Sequence, residues 1–151
     1  MRLERGKMFM LMAQVVAKRG TCNRAQHGAV IVQDNRVVST GYNGAPSGLP
    51  HCSEAGCEIG PEGGCIRTVH AEANAIAFAA KHGISCWGSV MYVTGEPCLR
   101  CAQLIVNSGI QAVYCLGKPG SYRDQRGIDL LKAAQVEVFY MPDVFIILEL
   151  K

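Results

Sequence analysis

His70-Ala71-Glu72 and Pro97-Cys98-Leu99-Arg100-Cys101 are the two short stretches whose side chains can do chemistry together. One imidazole and two thiolates make a three-ligand site for zinc and leave the fourth tetrahedral position open for water. Zinc in such a site lowers the pKa of that water, so hydroxide is available near neutral pH. Glu72 stands two residues from His70 on the first turn of an expected helix, where it can face the water without binding the metal. A carboxylate so placed accepts a proton from water and hands it on to a basic nitrogen and a leaving group. The competing reading is a purely structural zinc knot, which wants four ligands and no spare acid. A free C-x-x-C or a lone His is weak evidence; both motifs in this order, each opening a helix, are strong evidence.

A second group of cysteines, Cys22, Cys52, Cys57 and Cys65, lies in turn-rich sequence. Four thiolates satisfy tetrahedral zinc completely, as a structural site requires. Metal would also close the stretch from Leu49 to Thr68, long for a connection without structure of its own and poor in apolar residues to pack. Free thiols, or His51 in place of one cysteine, are the alternatives. Cys86 and Cys115 stand alone among apolar residues and read as small buried hydrophobes.

These groups need a scaffold, and its elements are legible. Residues 7–18 have helix-forming composition with one broad apolar face, closed by Gly20. Gly28–Val32 and Arg36–Thr40 are β-branched runs around Gln33-Asp34-Asn35, which predicts a hairpin. Residues 41–48 are too rich in Gly and Pro for a regular element, and the loop is expected to continue to Thr68. Helices are predicted over Ala71–His82, Leu99–Asn107 and Ile128–Ala134, and strands over Ser89–Thr94, Gln111–Leu116 and Val136–Met141. Alternating strands and helices argue for an α/β layered domain with a central sheet. The apolar stretch Val144–Leu150 fits an edge strand, a helical turn or a surface that meets another subunit.

A chain of 151 residues, 49% hydrophobic and 18% charged, fits one compact domain with a sizeable core. Its net charge of +3 comes from scattered residues. That suits a phosphate-bearing small molecule and offers no basic stripe for nucleic acid, so no nucleic-acid partner is expected. No stretch has the pattern of a signal peptide, and no apolar run approaches the roughly 18–20 residues that cross a bilayer. A soluble, cytoplasmic protein without a membrane partner is the expectation.

The motifs form the H-x-E…P-C-x-x-C pattern and so resemble the zinc-dependent cytidine deaminase superfamily. Three stretches resemble its deoxycytidylate (dCMP) deaminase branch: His27–Val32, Thr40–Cys52 and Val69–Ile76. The Gly-Tyr-Asn-Gly-x-Pro element at Gly41–Pro46 separates this branch from deaminases of free nucleosides, tRNA adenosine and riboflavin precursors. The likeness runs from about Phe9 to about Phe139. It implies a three-layer fold, with a central mixed sheet and helices on both faces. It also implies hydrolysis of dCMP to dUMP and ammonia, which feeds thymidylate synthesis. A homo-oligomer, in many members a hexamer, and control by dCTP and dTTP belong to the same expectation. The second cysteine group resembles a further zinc site of some microbial and phage relatives.

For the nucleotide, the resemblance implies that Asn43 holds the sugar, although an Asn there also suits a turn. Ala71, next to His70, is counted with the substrate contacts. Arg24 and Gln26 precede the first strand within reach of a phosphate, and Arg24 equally fits a solvated surface charge. Tyr122 resembles a family tyrosine near the phosphate, with Arg123 and Arg126 as alternatives on the same loop. Two positions depart from the pattern. His27 stands where Val is common, and reads as a packed or hydrogen-bonded side chain rather than a new ligand. The approach Glu4-Arg5-Gly6-Lys7 lacks the expected Trp and acidic pair. Other substrates remain open alternatives: another cytosine nucleotide or nucleoside, a guanine- or riboflavin-type compound, or tRNA adenosine. A non-catalytic zinc scaffold is a further one, against which the retained Glu72 argues.

Overall fold

The computed structural model describes residues 2–142 and Val144. Five strands form one mixed sheet in the order β2-β1-β3-β4-β5: β1 (Gly28–Gln33), β2 (Arg36–Tyr42), β3 (Val90–Val93), β4 (Ala112–Leu116) and β5 (Glu137–Met141). β1 runs antiparallel to both β2 and β3, whereas β3, β4 and β5 are parallel. The β1–β2 connection is a two-residue turn in which Asp34 (φ 49°) and Asn35 (φ 60°) both take the left-handed conformation. That is the turn whose twist suits a hairpin, and Asp and Asn tolerate it best after Gly.

Successive strand residues point to opposite faces, so each strand feeds two cores. On one face Val30, Val32 and Tyr92 pack with Phe9, Met10 and Ala13 of α1 (Arg5–Ala17). A row of rings, Phe9–Tyr92–Tyr114–Phe139, crosses this face with centroids 5.4, 4.7 and 4.7 Å apart. On the other face Ala29, Ile31, Met91, Val93, Val113 and Cys115 meet the remaining long helices. These are α3 (Ala71–Lys81), α4 (Leu99–Asn107) and α5 (Arg126–Ala133). The layered α/β fold and the mixed sheet expected from the sequence are therefore present. Cys86 and Cys115 are buried in this second core, as expected of small hydrophobes.

Most predicted boundaries shift by a residue or two, which is where helix ends fray. The clear difference lies between residues 49 and 68. This stretch, expected as loop, contains a four-residue helix α2 (Cys52–Ala55) and an isolated bridge between Ile59 and Cys65. A single helical turn carries too little periodicity to be seen in sequence. The apolar stretch from 144 to 150 lies, apart from Val144, outside the described residues; Val144 itself packs in the α1 core.

Helix α3 owes its depth to small side chains. Ala71, Ala75 and Ala79 are fully buried, and the helix backbone lies directly on β2. A Cβ on Gly41 would come within 2.2 Å of Ala71 O and 2.4 Å of Ala75 N. Gly41→Ala must therefore push α3 off the sheet. We expect a loss of about 1–3 kcal/mol or more, seen as a fall in Tm of at least several degrees, roughly 2–4 °C per kcal/mol for a chain of this size. Thermal unfolding with Gly41→Ala no less stable than wild type would contradict this packing.

Candidate active site

The C-terminal ends of β2, β3 and β4 and the N-terminal end of β1 meet at one edge of the sheet, and both motifs open there. His70 is the N-cap of α3 and Cys98 the N-cap of α4; Glu72 and Cys101 follow within the first turns. Both thiols thus sit at the start of α4, where unpaired backbone N–H groups favour negative charge. Cys98 Sγ lies 3.4 Å from His70 Nδ1, and Cys101 Sγ lies 3.5 Å from it. Tetrahedral zinc with ordinary bond lengths sets an S···N separation of about 3.5 Å. The donor set and spacing fit zinc, with one position left over.

The electrostatics agree with that chemistry. The hydrogen bond from Cys101 and the contact with His70 hold the Cys98 thiol down at about 4. The same bond and burial push Cys101 up, and the Cys98 sulfur raises His70. Burial pushes the Glu72 carboxyl above its ordinary value, and the side chain is only 6% exposed. A raised carboxyl is a stronger base than an ordinary one, which suits a group that accepts and passes on a proton.

Cys22, Cys52, Cys57 and Cys65 also come together, all ligand atoms lying within 4.8 Å of one another. Cys22 and Cys57 sulfurs are 3.7 Å apart, and Cys52 and Cys65 sulfurs 3.6 Å. Zinc–thiolate geometry sets about 3.8 Å. Burial pushes Cys52 up to about 12, so this thiol ionises at neutral pH only beside a cation. Burial also opposes ionisation of Cys65, but backbone hydrogen bonds at Arg67, Glu58 and Thr68 bring it down to about 6. His51, the alternative ligand, is not in this group; it caps α2, its backbone N–H donating to Glu54 Oε2 at 2.8 Å.

A cavity of about 570 Å³ opens above the first cluster, within the roughly 300–1,000 Å³ of small-molecule sites. Glu72, His70, Ala71 and Cys98 form part of its lining, as do Asn43, Arg24 and Tyr122. Cys22 and Cys65 of the second cluster line it too, so the two clusters share a wall. Arg24 Nη1 donates to Gly63 O at 2.8 Å, and Arg123 Nη2 donates to the neighbouring Glu62 O. Two guanidinium groups from different loops thus converge on the turn at the cavity rim.

Gln26 does not join the other nucleotide-site residues. Its amide bonds Gly20 O at 3.0 Å, turned back towards the end of α1, and it does not line the cavity. Arg126 is paired with Asp124 at 2.7 Å and stays out as well. His27 does line the cavity beside His70, and it is not among the residues clustered as ligands. Sequence reasoning missed Glu96 entirely. It is buried at the cavity wall and accepts hydrogen bonds from Gly120, Tyr122, Gln125 and Tyr140. Burial raises its carboxyl, but these four bonds outweigh burial and hold it at about 2. A carboxylate directly before Pro97-Cys98 was the available signal.

Residues 3–117 match the family described as the cytidine and deoxycytidylate deaminase zinc-binding region. ComE operon protein 2 of Bacillus subtilis (strain 168) is 41% identical over 113 residues, 75% of this chain but 59% of that protein. Deoxycytidylate deaminase of Mycobacterium phage D29 is 42% identical over 115 residues, 70% of this chain and 88% of the phage protein. Among solved structures, dCMP deaminase from cyanophage S-TIM5 in complex with dCMP and dUMP superposes with a TM-score of 0.81 at 33% identity. That match covers 93% of this chain and 99% of the phage chain. This chain belongs to the cytidine and deoxycytidylate deaminase family and carries its zinc-binding region.

Asn43 is 5% exposed and spends one bond at each end on the strand-entry loop. Its Oδ1 accepts from His27 N at 2.7 Å and its Nδ2 donates to Ala25 O at 2.8 Å. One lone pair and one N–H remain for a ligand. Asn43→Ala should therefore cost stability, about 1–3 kcal/mol for the unpaired partners, along with substrate binding. Differential scanning calorimetry showing an unchanged Tm would rule out this fastening role.

Proposed function

We propose that this protein hydrolyses dCMP to dUMP and ammonia and so supplies dUMP for thymidylate synthesis. The observation that carries the reading is a buried Glu72 carboxyl beside a three-ligand cluster, below a cavity whose rim holds Arg24 and Arg123. Relatives named deoxycytidylate deaminase, at 42% identity in Mycobacterium phage D29 and 34% in Enterobacteria phage T4, support the same substrate.

His70, Cys98 and Cys101 would hold a catalytic zinc, which would supply an activated water. Glu72 takes a proton from the water that adds to C4 of the pyrimidine. It delivers this proton to ring N3, then carries the remaining hydroxyl proton to the amino group, which leaves as ammonia. Ala71 lies against the base, Asn43 holds the sugar, and Tyr122 meets the phosphate together with Arg24. Charge-assisted bonds to phosphate oxygens are roughly twice as strong as neutral ones, so the nucleotide outcompetes the nucleoside. Cys22, Cys52, Cys57 and Cys65 take a second, structural zinc that fixes the loop over the cavity.

Among the described residues no helix is long and apolar enough to cross a membrane. Eight unpaired cysteines suit a reducing compartment, the cytoplasm. The family resemblance adds a homo-oligomer, as large as a hexamer, with dCTP and dTTP as effectors. Exposed Met8, Met12 and Val15 share the outer face of α1 and support contact between copies.

Ammonia release from dCMP, dCTP, CMP, deoxycytidine and a tRNA anticodon stem tests the substrate directly. dCMP should lead the panel, and equal kcat/KM on dCMP and deoxycytidine would overturn the nucleotide assignment. Glu72→Gln should keep zinc and fold while losing at least about a hundredfold in kcat, because an amide carries no proton; near-normal turnover would remove Glu72 from the chemistry. Elemental analysis should find two zinc ions per chain in the wild type, one for each cluster. Cys57→Ser should lose the second ion and lower Tm more than it lowers the turnover of folded enzyme. A wild type holding one zinc, unchanged in Cys57→Ser, would eliminate the structural site.

A further inference from the structure

Glu96 plays no part in the proton transfers above, yet it is one of the best-satisfied groups in the molecule. Oε1 accepts from Gly120 N at 3.0 Å and from Tyr140 Oη at 2.7 Å. Oε2 accepts from Tyr122 N at 2.7 Å and from Gln125 Nε2 at 2.9 Å. All four partners are donors. Three of them belong to the loop between β4 and α5, which carries Ser121, Tyr122 and Arg123 along the cavity wall. Glu96 itself follows Thr94 and Gly95 on another wall of the same cavity, one residue before the Pro97-Cys98 pair.

One buried carboxylate thus joins two walls, the one built by the metal-binding turn and the one that faces the ligand's far end. The backbone on the metal side is held as well: a Cβ on Gly127, in the first turn of α5, would lie 2.2 Å from Pro97 O. The loop therefore takes its position from a point anchored beside the chemistry. Only a carboxylate does this. An amide at residue 96 would turn its NH₂ towards either Gly120 N–H or Tyr122 N–H, and at least one loop donor would lose its acceptor in either orientation.

We infer that Glu96 is a positioning residue for substrate specificity, fixing the Ser121-Tyr122-Arg123 rim at the distance from the metal site that a nucleoside monophosphate requires. The inference rests on the nucleotide reading above and deepens it. The cavity accepts the base without Glu96; it is the phosphate end that loses its partners when the loop drifts. Removing the carboxylate should then raise KM for dCMP and leave deoxycytidine, which has no phosphate to place, nearly unaffected. A merely structural Glu96 would lower both activities together through loss of folded enzyme.

The test is the ratio of kcat/KM for dCMP to that for deoxycytidine, with zinc content and Tm measured on the same samples. Glu96→Gln should lower the ratio about tenfold, the effect of one lost charge-assisted bond, chiefly through KM, with catalytic zinc retained. Tyr140→Phe removes the one donor outside the loop and should lower Tm while keeping the ratio within twofold of wild type. Amide exchange at Gly120 and Tyr122 in ligand-free protein should be slow in wild type and fast in Glu96→Gln. An unchanged ratio in Glu96→Gln overturns the inference, and so does a ratio that falls equally in Tyr140→Phe. Should Glu96→Gln fail to fold, Gln125→Leu removes one loop donor and must itself lower the ratio, by about threefold; an unchanged ratio there overturns the inference too. A wild type without preference for dCMP sinks the nucleotide reading first and this inference with it. A preference that survives the loss of Glu96 sinks the inference alone.

Discussion

Three groups that can carry negative charge, Glu72, Cys98 and Cys101, are crowded into one corner beside the cavity, and the fold is arranged to make that tolerable. Like charges so placed repel strongly unless a cation and oriented dipoles stand among them. The cation is the zinc of this family, and the dipoles come from the first turns of α3 and α4. Because both helices must aim their N-termini at one point, their registers on the sheet are fixed. Small residues on α3 and a side-chain-free β2 position at Gly41 let the backbones approach closely enough. The loop entering antiparallel β1 brings Ala25 and His27 to the cavity, while parallel β3 and β4 bring their carboxyl ends, Val93 and Leu116, to its wall.

What the sequence made legible follows the same division. The long helices show helix-forming composition closed by stop signals, and the five strands show short apolar runs between turns, because the central strands bury both faces. The cluster of His70, Cys98 and Cys101 was readable because it depends on residue type and on short spacing within a turn. Glu96 was not, since its importance comes from partners 24 to 44 residues away, two of them backbone N–H groups that leave no mark in sequence. Gln26 shows the converse. Its position before β1 suggested reach towards a ligand, but the open carbonyls at the end of α1 capture its amide first.

The segment between α2 and α3 has little apolar sequence, yet it is held at many points. Asn23 donates to Cys52 O, Arg67 to Gly56 O, and Arg24 and Arg123 to the turn at residues 62 and 63. Charged and polar side chains here take over the work that hydrophobic packing does elsewhere in the fold. Since Cys22 and Cys65 belong both to the second cluster and to the cavity wall, the order of this segment and the shape of the ligand site are one property. Stability and specificity are coupled through a loop rather than through the core.

The mixed sheet also sets an order of assembly. β1 and β2 are joined by two residues, so their pairing closes a short loop and forms on the microsecond scale of hairpins. β3, β4 and β5 pair in parallel, and each pairing has to wait for an intervening helix, α4 or α5, to fold back over the sheet. Contacts distant in sequence are slow to form because the entropy of loop closure is lost before they repay it. Cys98 and Cys101 lie on the slow half, and His70 enters through the helix that lies on the fast hairpin. The three-ligand cluster is thus complete only once the parallel half of the sheet has joined the hairpin and the helix that lies on it.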